Sequence, residues 1–275
     1  ADIFKDNGIA FETGEDFACV CGKYPKKTVK IKGNISSQFI SGFCFYFAAN
    51  GGGEIEIIPP FESKPYVDMT LDTLNAFGVS AKYTDNKIII SGNVKNTDMT
   101  VEGDCSSAAF SDAFNLLGGD VEVLGLNENT LQGDSIYKRF YSDIKSGVRQ
   151  FDLSDCPDLA PVIFALSAHI GEFTFTGTKR LALKESDRAK CMKEELEKFG
   201  ARVEIFDNEV KIYGGNLKTP ISTLCGHNDH RIVMALAVLC SYYGGKIEGA
   251  NAVSKSYPEF FSNIKSLGVK INYET

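Results

Sequence analysis

The densest cluster of charge in the chain is Lys184-Glu185-Ser186-Asp187-Arg188. Placed at the start of a helix, Lys184 and Arg188 stand at i and i+4 and share a face, where like charges are mildly unfavourable unless an anion binds between them. A carboxylate or phosphate would meet that need, and arginine suits paired parallel bonds to either. The plainer reading is a solvated helix start. Asn228-Asp229-His230-Arg231 precedes the apolar run IVMALAVL, and an arginine there is costly to bury unless paired. His230 has no second histidine at metal-ligand spacing, and in such a setting histidine is more often a hydrogen-bonded structural residue than a catalyst. In FDLSDCPDLAP, Asp152, Asp155 and Asp158 crowd the approach to another apolar run. Such aspartates mostly cap helices or face solvent. Asp158 adjoins the apolar residues, where partial burial can tune a carboxylate for proton transfer.

Nearer the N-terminus the candidate anion ligands are mostly uncharged. Ser36, Ser37 and Gln38 offer two hydroxyls and an amide where a helix begins, a set that can hold a phosphate without adding net charge. Capping accounts for one of the serines. Ser63-Lys64-Pro65-Tyr66 adds a hydroxyl, a cation and a phenol in the turn into the next helix, with Pro65 in the first turn and Ser63 near the cap. Lys255, in VSKSYPEF, enters at the equivalent place of a later segment.

These residues fall on a repeated frame. VKIKGNISSQF, TVEGDCSSAAF, FDLSDCPDLAP and TLCGHNDHRIV each join a short β-like run to a polar turn and an apolar, helix-length stretch that stops at glycine. A second strand is expected after each stop, then an amphipathic helix closing at Gly78, Gly147, Gly200 and Gly268, which are 69, 53 and 68 residues apart. Two β-like runs follow Gly78 and Gly200, whereas Gly147 leads almost directly into FDLSDCPD, so the second segment lacks a hairpin. The inferred unit is βαβαββ. The first helix of each unit differs from the second: stretches such as PVIFALSAHI and IVMALAVLC are apolar nearly all round, which predicts burial of these helices on every side. The fold class is therefore α/β, with sheets wrapped around buried central helices, an inside-out barrel. Several helix starts, each with free N–H groups, can combine into an anion site. A boundary is expected in the polar stretch SGNVKNTD, dividing the chain into 1–98 and 99–275.

Bulk properties narrow the function. A formal charge of −7 and a pI near 5.1 argue against a nucleic-acid surface or a polybasic membrane anchor, so any anionic ligand needs locally gathered Lys and Arg. Eight scattered cysteines with no C-x-x-C pair suggest reduced thiols in a cytoplasmic protein. Apolar runs such as Phe39 to Ala49 are broken well short of a membrane span. The chain begins at Ala1 with no initiator Met, so its targeting history is not legible.

Taken in order, GNISSQF, SKPYVDMTLD, VEGDCSSAAF, LQGD, CPDLAPVIFALSA, KESDR, NDHRIVMALA and KSYPEFF resemble the motif series of the 3-phosphoshikimate 1-carboxyvinyltransferase (5-enolpyruvylshikimate-3-phosphate synthase) family, from about Val29 to the end. The resemblance implies two domains of inside-out α/β architecture that close over the substrates, the first incomplete here, in a monomer when full length. It implies transfer of the carboxyvinyl group of phosphoenolpyruvate to the 5-hydroxyl of shikimate 3-phosphate, a shikimate-pathway step in aromatic amino-acid biosynthesis, with no metal or organic cofactor. Ser36, Ser37, Gln38 and Ser63 would hold the 3-phosphate with Tyr66 nearby. Asp158 and Lys184 would contact the ring hydroxyls, and Arg188, Arg231 and Lys255 would bind phosphoenolpyruvate. Asp158 and Glu185 would share the proton transfers, with Lys184 among the cations that offset substrate charge.

Three departures qualify the resemblance. The family's first third, with its G-S-K-S and N-A-G-T type phosphate loops, has no counterpart, so the chain alone is expected to be inactive or nearly so. Ala182 stands where an arginine is common, and the second segment lacks its hairpin. Two other readings remain open: the related transferase acting on UDP-N-acetylglucosamine, against which Ser-Ser-Gln and K-E-S-D-R argue, and a non-catalytic anion-binding module that kept the fold.

Overall fold

A computed structural model describes residues 2–273; Ala1, Glu274 and Thr275, at the ends of the two expected domains, lie outside the described residues. The chain divides into two compact units, Ala1–Met99 and Thr100–Thr275, each with its own apolar core.

Unit 1 opens with α1 (Asp2–Lys5) and a hairpin of β1 (Ala10–Thr13) and β2 (Ala18–Cys21). It continues through β3 (Thr28–Lys32), α2 (Ser37–Ala49), β4 (Gly53–Ile58), α3 (Lys64–Ala76), β5 (Ser80–Thr84) and β6 (Lys87–Ser91). The sheet order is β3-β4-β6-β5, with β3 parallel to β4 and the remaining pairs antiparallel. Val29 and Ile31, Ile55 and Ile57, and Ile88 and Ile90 all turn inward, the period of two that buries one sheet face. The other face carries the ion pairs Lys30–Glu56 and Lys87–Glu54. Asp85 and Asn86 both have positive φ, 49° and 60°, as a two-residue hairpin turn that follows strand twist requires.

Unit 2 runs α4 (Cys105–Ala113), α5 (Tyr137–Lys145), β7 (Gln150–Asp152), α6 (Ala160–Ile170), β8 (Glu172–Thr176), α7 (Arg188–Lys198), β9 (Arg202–Ile205), β10 (Glu209–Tyr213), β11 (Leu224–Cys225), α8 (His230–Tyr243), β12 (Ile247–Glu248) and α9 (Phe260–Ser266). Its four-stranded sheet, β7-β8-β10-β9, repeats the order and strand senses of unit 1. Helices α4, α6 and α8 pack on one another. Every residue of α6 from Ala160 to Ala168 is buried, as is α8 from Ile232 to Leu239. All four repeats end their second helix alike. Gly78, Gly147, Gly200 and Gly268 take φ of 81°, 98°, 97° and 101°, the left-handed conformation that closes a helix without a Cβ penalty.

Two expectations are corrected. Among the described residues, the second repeat forms no strands, and the fourth contributes only the two-residue parallel pair β11 and β12. With no hairpin to extend a ladder, the second repeat is held by side chains instead. Gln132 donates to Gly103 O and Glu102 and accepts from Cys105 N–H, while Thr130 donates to Glu102. In addition, α2 is not buried all round, because Phe39 and Phe45 are 56% and 50% exposed. It packs on α3 and its own sheet, whereas α6 and α8 have each other and α4.

Candidate functional site

Parallel pairing of β7 with β8 releases the chain from both strands at the same sheet end, where α6 and α7 begin, the usual place for ligands in α/β units. Asp158 sits in a 3-10 turn, Pro157–Leu159, that runs into α6. Asp187 caps α7, accepting from Lys190 N–H. Asp229 caps α8, accepting from Arg231 N–H.

The three helix starts meet in one ionic network centred on Arg188, whose side chain is only 1% exposed. Its Nη1 donates to Asp158 Oδ1 at 2.7 Å, its Nη2 to Glu185 Oε2 at 2.5 Å and its Nε to Asp229 Oδ2 at 2.9 Å. Asp158 also receives Lys184 Nζ at 3.0 Å and Arg231 Nη2 at 3.1 Å. Ser186 Oγ donates to Asp229 Oδ2 at 3.0 Å, so one oxygen of Asp229 caps α8 and the other anchors Arg188. Lys255 Nζ donates to Asn228 O, next to Asp229. Burying a guanidinium costs several kcal/mol, on the order that unpaired charges pay, and three carboxylates offset that cost here.

Electrostatics follow from this geometry. Burial alone would push the Asp158 carboxyl up, but Arg231, Lys184 and Arg188 outweigh it and hold the group far below the usual carboxylate range. Asp229 behaves alike: burial raises it, and Arg188 with its hydrogen bonds brings it below its ordinary value. Burial opposes charge on Arg188, yet Asp158 and Asp229 raise its pKa further. His230 is lowered, first by burial and then by Arg231, and its Nδ1 has no hydrogen-bond partner among the described residues. The site therefore carries permanent cations beside an ionised carboxylate.

Asp158, Lys184, Glu185, Arg188, Arg231 and Lys255 thus come together, though not in the way their spacing suggests. Lys184 is extended, outside α7, which begins only at Arg188, so the two cations do not share a helix face. They meet at Asp158 Oδ1 instead. Nor does Asp158 act as a helix cap; its oxygens are taken by cations. Lys184 falls short of the helix because the Asp187 cap starts α7 at Arg188, four residues after it.

In unit 1, Ser36 caps α2, its Oγ accepting from Gln38 N–H at 3.3 Å, while Ser37 is buried and Gln38 exposed. Ser63, buried, stands at the N-cap position of α3 in a left-handed conformation with φ 53°, and Tyr66 lies half-buried in the first turn. The loops leading to these helices are joined by Gly33 N–H to Ile58 O at 2.9 Å and Glu62 N–H to Gly33 O at 3.2 Å. A Cβ on Gly33 would stand 2.7 Å from Pro60 O, so glycine is what lets the loops touch. Ser36 to Gln38 and Ser63 therefore occupy the same end of the unit 1 sheet.

Sequence reasoning missed Asp229 and Ser186 as functional partners. The D-H-R triplet signals a cap, but the second oxygen's bond to Arg188 joins residues 41 apart, which no local pattern records.

Residues 2–264 match the family described as EPSP synthase (3-phosphoshikimate 1-carboxyvinyltransferase). The protein named 3-phosphoshikimate 1-carboxyvinyltransferase in Clostridium kluyveri is 36% identical over 297 residues, covering 98% of this chain and 69% of its own length. That of Sulfurisphaera tokodaii is 36% identical over 274 residues, covering 92% and 66%. Among solved structures, EPSP synthase from Acinetobacter baumannii superposes with a TM-score of 0.73 at 21% identity, over all of this chain and 71% of that one. The enolpyruvyl transferase NikO from Streptomyces tendae gives 0.66 at 14%, with the same coverage; at such identities these two likenesses speak for the fold. No helix among the described residues is long and apolar enough to cross a membrane.

Proposed function

Because the chain belongs to the EPSP synthase family, we propose that its helix-start sites serve the transfer of a carboxyvinyl group from phosphoenolpyruvate to the 5-hydroxyl of shikimate 3-phosphate. The observation that carries this reading is the convergence of Lys184, Arg188 and Arg231 on Asp158, with Glu185 on the same guanidinium. Lys184, Arg188, Arg231 and Lys255 oppose Asp158, Glu185 and Asp229, four cations to three carboxylates. That local surplus lets a protein of charge −7 accept an anionic donor.

In this reading Arg188, Arg231 and Lys255 bind the phosphate and carboxylate of phosphoenolpyruvate, and Lys184 and Asp158 engage the acceptor's ring hydroxyls. Ser36, Ser37, Gln38 and Ser63, with Tyr66 beside them, hold the 3-phosphate through neutral donors and helix N–H groups. Reaction joins the acceptor oxygen to C2 of phosphoenolpyruvate, while a proton is added to C3 and one leaves the hydroxyl. Loss of phosphate and of a C3 proton then restores the double bond. Asp158 and Glu185 share these transfers. With its three cations in place Asp158 is a poor base; arriving phosphoenolpyruvate competes for Arg188 and Arg231, so donor binding itself raises the basicity of Asp158. Asp229 keeps Arg188 in place meanwhile.

Phosphate release measured with shikimate 3-phosphate and phosphoenolpyruvate, on this chain and on the natural gene product, tests the reading. Turnover requiring both substrates and falling about 100-fold or more in Asp158→Asn supports it. Turnover with UDP-N-acetylglucosamine as acceptor instead, or an unaffected Asp158→Asn, overturns it.

A further inference from the structure

A second cluster adjoins the anion site, since His227 precedes Asn228, whose carbonyl accepts from Lys255. Glu194 and Glu195, adjacent on α7, and His227, in the turn between β11 and α8, bring three donor atoms within 4.8 Å of one another. His227 Nε2 stands 2.9 Å from Glu195 Oε1 and 3.8 Å from Glu194 Oε2. A tetrahedral ion held at about 2.1 Å sets ligand atoms roughly 3.4 Å apart. The first pair must therefore open and the second close by about half an ångström, and the Glu194 and Glu195 oxygens, within 4.8 Å of each other, close by up to about 1.4 Å, a movement open to the exposed Glu194 side chain.

The surroundings prepare the donors. Glu195 is 1% exposed, and its carboxylate is oriented by Lys198 Nζ, at 2.9 and 2.8 Å, and by Cys225 N–H at 2.9 Å. Outer partners of this kind aim ligating carboxylates. His227 and Asn228 have φ of 48° and 52°, uncommon for residues with a side chain, and this double left-handed turn accompanies the approach of the imidazole to α7. Glu194, 63% exposed, leaves a path from solvent. A plain His227–Glu195 hydrogen bond explains two donors but leaves Glu194 beyond bonding distance of the same nitrogen. Glu195 is paired with Lys198, whereas Glu194 makes no ion pair with a lysine or arginine among the described residues.

We propose that Glu194, Glu195 and His227 form a binding site for a divalent transition-metal ion, zinc by donor set, since one imidazole with two carboxylates suits zinc better than the all-oxygen shells of calcium or magnesium. The ion would join α7 to the turn that leads into Asp229, bracing the loop behind the anion site without entering it.

Zinc chloride titrated into untagged, metal-stripped protein tests this, with cobalt(II) as a spectroscopic substitute. One ion bound per chain, with affinity lowered at least tenfold in both His227→Ala and Glu194→Gln and retained in Cys225→Ser, supports the site. Glu194→Gln alters an exposed side chain and keeps the test valid if His227→Ala unfolds; in that event its result alone decides. No saturable binding, equal affinity in Glu194→Gln, or loss confined to Cys225→Ser overturns it.

Discussion

Residues 28–91 and 150–213 fold as the same βαβαββ unit, with the same strand order and the same glycine closing the second helix, yet they treat their first helices oppositely. In α6 every residue from Ala160 to Ala168 is buried, while α2 leaves Phe39 and Phe45 half exposed. The two units also differ in what they would offer the proposed substrates. The starts of α2 and α3 present Ser36, Ser37, Gln38 and Ser63; those of α6, α7 and α8 gather Asp158, Lys184, Glu185, Arg188, Asp229 and Arg231. One topology thus supports a neutral cradle and a charged one, which in the proposed function hold the acceptor's phosphate and bind the donor and move protons, respectively.

The largest expected effect falls on the charged cradle. Asp158→Asn removes the carboxylate that three cations share and is expected to lower kcat of the natural gene product by about 10²–10⁴-fold, read by phosphate release. Asp229→Ala should leave Arg188 short of a buried partner, destabilising unit 2 by about 3–5 kcal/mol in urea unfolding. It should also raise KM for phosphoenolpyruvate more than that for shikimate 3-phosphate. The helix contrast is tested by a pair. Phe164→Ala, at a fully buried site, is expected to cost about 3–5 kcal/mol, and Phe39→Ala about 0.5 kcal/mol or less; similar costs would break the distinction between α6 and α2.

A smaller effect is set by pH. The His230 pKa is lowered in the fold by burial and Arg231, so the unfolded chain, with a histidine near 6.5, takes the proton more readily. Its contribution is complete above about pH 6.5 and declines as pH falls through the folded value. Thermal melting should show the loss as pH falls below neutrality, and His230→Asn should reduce it, leaving the part due to His169, which burial also lowers. A modest effect also belongs to the neutral cradle. Ser36→Ala removes the cap of α2 for about 1 kcal/mol, and calorimetry should show weaker binding of shikimate 3-phosphate with little change for phosphoenolpyruvate.

Much of this was legible in the order of residues. Alternation in VKIKG and the apolar run PVIFALSA encode a half-buried strand and a core helix, because burial has a period that the backbone imposes. Gly78, Gly147, Gly200 and Gly268 mark helix ends for an equally local reason, the left-handed turn each must make. The Ser36 cap and the presence of Asp158, Arg188 and Arg231 at helix starts could likewise be read in place. Tertiary structure decided what those side chains touch. Lys184 and Arg188 meet at Asp158 rather than along a helix face, Asp229 divides its two oxygens between a cap and a guanidinium, and His227 reaches Glu195. Each of these depends on helix starts brought together from distant segments, and ionic contacts, unlike hydrophobic periodicity, leave no repeat in the chain that makes them.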